Sequence, residues 1–173
     1  MTTEKGAAKR PRKTRKPADI ATSSVPDPAP QGADTPPVPL FVAELEARWR
    51  DLDAFNHVNN ATYLTYLEEA RLQWLREVPG PWFDEHAMPV LAASQLNYRL
   101  PIAWPARLSV SLSCERLGNS SITLAHRIVD VAEPDRLYCD GHVVLVWMDP
   151  HTGRPVPLPQ AIRDSSTRAA GAD

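Results

Sequence analysis

Between residues 41 and 78 the hydrophobic pattern changes its period once, and that change limits what the chain can build. Phe41, Ala43, Leu45, Ala47 and Trp49 alternate with Val42, Glu44, Glu46, Arg48 and Arg50, the period of two that marks a half-buried strand. From Tyr63 the spacing becomes helical: Tyr63, Leu67, Ala70 and Trp74, joined by Tyr66, Leu75 and Val78, form one apolar stripe. Pro79, Gly80 and Pro81 stop the helix, because proline cannot continue it and glycine suits the reversal. The predicted helix is about 17 residues, or roughly 25 Å, long. The polar run "RDLDAFNHVNN", residues 50–60, joins strand to helix.

Four strand-like stretches follow, with no second helix of comparable length. Residues 90–99 carry the weakest pattern. Leu108, Val110, Leu112 and Cys114 alternate with Ser109, Ser111, Ser113 and Glu115, and "LGNSS" supplies a turn before residues 121–131. Residues 142–148, "HVVLVWM", are apolar throughout, as in a central strand covered on both faces. This order predicts an α+β domain, an antiparallel five-stranded sheet packed on one long helix. A chain of 173 residues suits one core. The domain is placed at 40–163, followed by a flexible C-terminus at 164–173.

Residues 1–39 hold eight of the 18 prolines, all the lysines and almost no large apolar side chain, so they are expected to stay disordered. Their first 16 residues set seven Lys and Arg against one Glu, a basic arm able to touch a polyanion without any fold. From Leu40 onward, 12 arginines and no lysine stand against 17 acids, a net of −5, which argues against a nucleic-acid groove on the domain. No apolar run of roughly 7 to 15 residues follows the basic cluster as in a secretory leader. None approaches the roughly 18 to 20 residues of a membrane span. Cys114 and Cys139 form no CxxC pair, and His126, His142 and His151 show no metal-ligand spacing. A cytoplasmic protein without a metal is expected.

In the 50–60 run, Asp51 and Asp53 keep the parity of the strand's buried face. An acid there is costly unless a hydrogen bond or a reaction uses it. Asn59 or Asn60 suits the helix N-cap. A helix N-terminus also offers unpaired N–H groups and about half a positive charge, which favour a developing oxyanion.

The stretch "RWRDLDAFNHVNNATYLTYLEEAR", residues 48–71, resembles the signature of hot-dog-fold acyl-CoA thioesterases, the superfamily of the 4-hydroxybenzoyl-CoA thioesterases and the "HVNN" acyl-ACP thioesterases. "LNYRLPIAWPARLSVSLSCERLGNSSITL" and "DGHVVLVWMDPHTGRPVPLP" resemble that family's second half. The resemblance runs from residue 40 to about 163 and implies a single hot-dog domain, its sheet wrapped around a central helix. It also implies thioester hydrolysis without a cofactor. Asp53 falls at the catalytic aspartate, as general base toward water or as nucleophile. Asn60 falls at the position whose backbone amide donates to the oxyanion, and His57 is a candidate for positioning water or Asp53. Val58, Asn59, Tyr63, Tyr98, Ser120 and Ser121 are candidate substrate-binding residues. Plant acyl-ACP members carry an Asn where this chain has Phe55, which would favour an apolar wall.

Each assignment has a structural rival. Asp53 and Asp51 would serve as turn or helix-entry acids, His57 as a hydrogen bonder, Asn59 and Asn60 as caps, and Tyr63, Tyr66 and Trp74 as core. Glu68, Glu69 and Arg71 read as polar contacts on the helix surface or between subunits. A hot-dog enoyl-CoA hydratase is the enzyme rival, but its histidine lies five residues beyond the acid rather than four. A non-catalytic acyl-CoA-binding or regulatory module is the other. The carrier is CoA or acyl carrier protein, with Arg99 and Arg107 available to either. The resemblance implies a homodimer or homotetramer, which would also close the open sheet edges.

Overall fold

The computed structural model describes residues 38–168, so the reading of the 1–39 tail falls outside the described residues except at Val38 and Pro39. The elements are β1 (Phe41–Glu46), a 3-10 turn (Trp49–Asp51), α1 (Asn60–Glu77), β2 (Met88–Tyr98), β3 (Arg107–Leu117), β4 (Ser121–Asp130), β5 (Leu137–Asp149), the two-residue β6 (Arg154–Pro155) and α2 (Gln160–Arg168). The sheet runs β1-β3-β4-β5-β2, every pairing antiparallel, with β6 added to β5. An α+β domain with one antiparallel sheet and one long helix is thus the observed architecture.

Side-chain alternation makes the core. Leu108, Val110 and Leu112 of β3, Ile122, Leu124 and Ile128 of β4, and Val143, Leu145 and Trp147 of β5 are buried. With them are buried Tyr63, Tyr66, Leu67, Ala70 and Trp74 of α1, the stripe read from the sequence. Residues 142–148 do lie on an interior strand, but their burial alternates, and Val144 and Val146 stay half-buried. The apolar run there therefore reflects β propensity, not two covered faces. β2 is exposed along most of its length, which explains its weak pattern.

Two sequence readings are refined. Helix α2 crosses the boundary placed at residue 163 and buries Ile162 and Ser166, the Ser166 hydroxyl donating to the Ile162 carbonyl at 2.7 Å. Arg71, read as a surface or inter-subunit residue, is buried at 7% exposure, because α1 turns its 70–71 and 74–75 pairs toward the core.

Candidate active site

The loop between β1 and α1 is held at both ends. The Asp51 carboxylate accepts from the Tyr66 hydroxyl (2.7 Å), Arg48 Nε (3.0 Å) and the Arg48 amide (2.9 Å), and the Asn59 amide donates to the Asp51 carbonyl (2.8 Å). Burial alone would raise the Asp51 pKa, but the bonds from Arg48 and Tyr66 outweigh it and hold the carboxyl below its ordinary value. Inside these anchors the chain reverses tightly. The Asp53 amide donates to the His57 carbonyl (2.8 Å), the Asn56 amide to the Asp53 carbonyl (3.2 Å), and Asn56 adopts the left-handed conformation at φ 60°. Asparagine tolerates that conformation better than most residues.

Asp53 takes part with one oxygen only. Its Oδ1 accepts from the Phe55 amide at 2.7 Å and the His57 amide at 3.4 Å, an Asx turn, while Oδ2 has no hydrogen bond among the described residues. The turn reading of Asp53 is thus observed, and the turn uses only one of its two carboxylate oxygens. The loop then docks on the 100–103 segment, with the Val58 amide donating to the Ile102 carbonyl (2.8 Å) and His57 bridged to Ala103.

Helix α1 begins at once. Asn59 is its N-cap, Oδ1 accepting from the Ala61 amide at 2.9 Å while its carbonyl accepts from Thr62 at 2.8 Å. The Asn60 N–H has no hydrogen bond among the described residues. The Tyr98 hydroxyl, reaching over from β2, donates to the Asn60 carbonyl at 3.1 Å. Tyr98 also packs edge-on against Tyr63, with ring centroids 5.0 Å apart. The Tyr63 hydroxyl donates to the Leu100 carbonyl (3.4 Å) and accepts from the Ile102 amide (3.3 Å), and burial pushes its pKa up.

Around these groups lies a cavity of about 240 Å³, walled by Asp53, His57, Val58, Asn60, Tyr63 and Tyr98 with the 99–101 segment. Six sequence-predicted site residues thus meet in one space, and Asn59 caps its helix from outside the wall. Ser120 and Ser121 do not reach it. Tyr98 pairs with Cys139 of β5 whereas Ser121 pairs with Val146, seven residues along β5 and roughly 23 Å away at strand rise. Phe55 is 80% exposed and outside the wall, so it forms no apolar lining within the protomer. Leu100 and Pro101 were missed because an irregular segment carries no periodic signal. Arg99 beside them is ion-paired to Asp140 at 3.0 Å, and Arg107 to Glu44 at 2.9 Å.

A second cavity, about 330 Å³, is walled by Leu45, Glu46, Arg48, Thr65, Tyr66 and Glu69. It has no helix N-terminus, and its Arg48 and Tyr66 are already bound to Asp51. No group of three or more His, Cys, Asp or Glu among the described residues is arranged to hold a metal ion. No helix among them is long and apolar enough to cross a membrane.

A single antiparallel sheet on one long helix, with a carboxylate and a helix N-terminus at a shared cavity, defines a hot-dog-type domain with a hydrolase-like site. Residues 47–165 match the model of the thioesterase-like superfamily. The chain belongs to that superfamily and is a thioester hydrolase by class. Long-chain acyl-CoA thioesterase FadM of Escherichia coli is 26% identical over 123 residues, 70% of this chain and 92% of FadM. A Thermus thermophilus thioesterase structure in complex with coenzyme A and Zn shares 32% identity over 79% of this chain and 98% of its own, with a TM-score of 0.66. The PA2801 protein of Pseudomonas aeruginosa shares 37% identity over 73% of this chain and 98% of its own, with a TM-score of 0.67.

Proposed function

We propose that the protein is an acyl-CoA thioesterase in which Asp53 and the first turn of α1, both at the wall of the 240 Å³ cavity, act on the thioester carbonyl. The observation that supports this reading is that Asp53 and Asn60 both line that cavity, while Asp53 Oδ2 and the Asn60 N–H have no hydrogen bond among the described residues. As the tetrahedral state forms, charge gathers on the former carbonyl oxygen, and the Asn60 amide with the positive end of α1 stabilises it without reorganising. Asp53 Oδ2 either takes a proton from the attacking water or attacks the carbonyl itself to give a mixed anhydride that water cleaves. The Asx turn fixes the carboxylate by its other oxygen and leaves Oδ2 for either route. His57 positions water or Asp53, and Tyr63 and Tyr98 shape the wall against which the acyl group lies.

Coenzyme A is the favoured carrier, because the Thermus relative is described with it bound. An acyl carrier protein is the other carrier to test. A homodimer formed along β2 would carry a second chain's Ser120 and Ser121 toward the cavity, which one protomer alone cannot do.

Asp53→Asn keeps the turn acceptor but loses the base or nucleophile. It is expected to retain the fold and acyl-CoA binding while turnover falls by about 10² or more. Thiol release from a panel of acyl-CoA and acyl-carrier thioesters reads this out. Near wild-type turnover in the variant would reject the role of Asp53, and tight binding without thiol release in the wild type would favour the non-catalytic module.

A further inference from the structure

The first turn of a helix carries N–H groups without partners inside the helix, and it frays more readily than the middle. The proposed reaction asks that turn of α1 to hold one N–H, that of Asn60, in a fixed direction. The Asn59 cap secures the Ala61 amide at 2.9 Å. A contact from outside the helix reaches Asn60 itself: the Tyr98 hydroxyl, 38 residues along the chain, donates to the Asn60 carbonyl at 3.1 Å. Burial pushes the Tyr98 pKa up, so the phenol is protonated at neutral pH and able to donate.

The backbone that carries Tyr98 is braced on both sides. Side chains alternate along an extended chain, so Asn97 and Arg99 stand on the face opposite to Tyr98. Both bind one carboxylate of β5, that of Asp140, with Asn97 Nδ2 donating at 2.8 Å and Arg99 Nε at 3.0 Å. The Arg99 and Leu100 amides both donate to the Tyr138 carbonyl, at 2.8 and 3.3 Å, and Tyr98 itself pairs with Cys139. The Tyr98 ring is held as well. It meets Tyr63 edge-on at 5.0 Å, and the Tyr63 hydroxyl is bonded to the Leu100 carbonyl and the Ile102 amide. The Ile102 carbonyl in turn accepts from the Val58 amide at 2.8 Å. Contacts therefore close a ring through Asn60, Tyr98, Tyr63, Ile102 and Val58, and all of these except Ile102 line the cavity.

We propose that Tyr98 is a positioning residue: its hydroxyl, by holding the Asn60 carbonyl, fixes the first turn of α1 and with it the direction of the Asn60 N–H that receives the developing oxyanion. The N–H and the carbonyl of Asn60 belong to two planar peptide units that share one Cα, so anchoring the second limits rotation of the first. The proposal rests on the thioesterase reading and adds to it a hydroxyl that acts through Asn60, not as an acid, a base or an acyl contact. One neutral hydrogen bond at a partly exposed site contributes modestly. A fall of about three- to tenfold in rate is therefore expected, well short of the loss expected for Asp53→Asn.

Tyr98→Phe tests this, because it keeps the ring and its packing on Tyr63 and removes only the hydroxyl. The variant is expected to lower kcat about three- to tenfold on the acyl-CoAs that the wild type cleaves. KM, acyl-CoA affinity by calorimetry and the shape of the pH–rate profile are expected to stay as in the wild type. Amide hydrogen exchange reads the tether without turnover. Within α1 the Leu64 amide donates to the same Asn60 carbonyl, so residues 61–64 should exchange several-fold faster in the variant while residues 70–77 keep their protection. Unchanged kcat would overturn the proposal, and so would unchanged exchange in the first turn. A raised KM with intact kcat would overturn it too, since that marks a wall residue touching substrate, and loss of one limb of the pH profile would mark an acid or base instead. A wild type that releases no thiol would remove the thioesterase reading, and the exchange measurement would then decide by itself whether Tyr98 holds the turn.

Discussion

Asp51 and Asp53 are two residues apart in sequence and meet opposite environments. Asp51 is 7% exposed and spends its carboxylate on Tyr66 and Arg48, whereas Asp53 is half-buried, lines the cavity and has one oxygen, Oδ2, without a hydrogen bond among the described residues. Tyr66→Phe removes the 2.7 Å bond and leaves a buried carboxylate short of a donor, which is expected to cost about 1 to 3 kcal/mol in urea unfolding. The pH sign follows from the direction of the shift. The Asp51 folded-state pKa is held below its unfolded value near 4, so its stabilisation is present above that value and is lost as pH falls through the folded one. Without Tyr66 the burial effect prevails more, so the acid loss of stability is expected to begin at higher pH than in the wild type. An unchanged acid limb in the variant would remove Asp51 from that role. Strand parity extended to both acids from Phe41 does not account for the burial of Asp51, because β1 ends at Glu46, Trp49 of the same parity is 74% exposed, and Asp51 is buried from a 3-10 turn. The partner of Asp51 was hidden, because Tyr66 lies 15 residues away and meets it only after α1 folds back.

At the scale of elements, α1 was legible and β2 was not. The cap at Asn59, the stripe through Trp74 and the stop at Pro79 are local chemistry, so sequence spacing reports them directly. β2 owes its place to pairing with β5 and to one close approach that no local pattern encodes. At Gly141, φ is 151° and a Cβ would come within 2.0 Å of the Gln95 carbonyl oxygen, with backbone on both sides of the clash. Gly141→Ala is therefore expected to push β2 away from β5 around the Gln95–His142 and Leu96–Gly141 pairs. Hydrogen exchange of β2 amides should quicken strongly while β3 and β4 stay protected, and the stability loss should exceed the ~1 kcal/mol of an ordinary point change. Because Tyr98 ends that strand and reaches Asn60, thiol release should fall as well. The same long-range dependence explains the serines: "LGNSS" announced a turn correctly, but only strand order shows that the turn lies at the far end of β5 from Tyr98.

For the whole molecule, the two sheet edges differ in how they are protected. β1 is six residues long and carries Glu44 and Glu46, charges that discourage another strand from pairing. β2 has 11 residues, no charged side chain and one proline near its start, with Met88, Val90 and Leu91 each more than 40% exposed. A long, uncharged, apolar edge is a template for a second strand, and Leu64 and Leu72 on α1 add exposed apolar surface two turns apart on one helix side. The mildly acidic domain gives no comparable reason for assembly by charge. Sedimentation of the wild type is thus expected to show a dimer, and Ala92→Lys, which places a cation on the exposed β2 edge, to shift it toward monomer with unchanged far-UV dichroism. If Ser120 and Ser121 of a second copy help form the cavity, turnover per chain should fall in step with dissociation and recover at high protein concentration. A monomeric wild type with full thiol release would reject both the β2 pairing and any contribution of those serines.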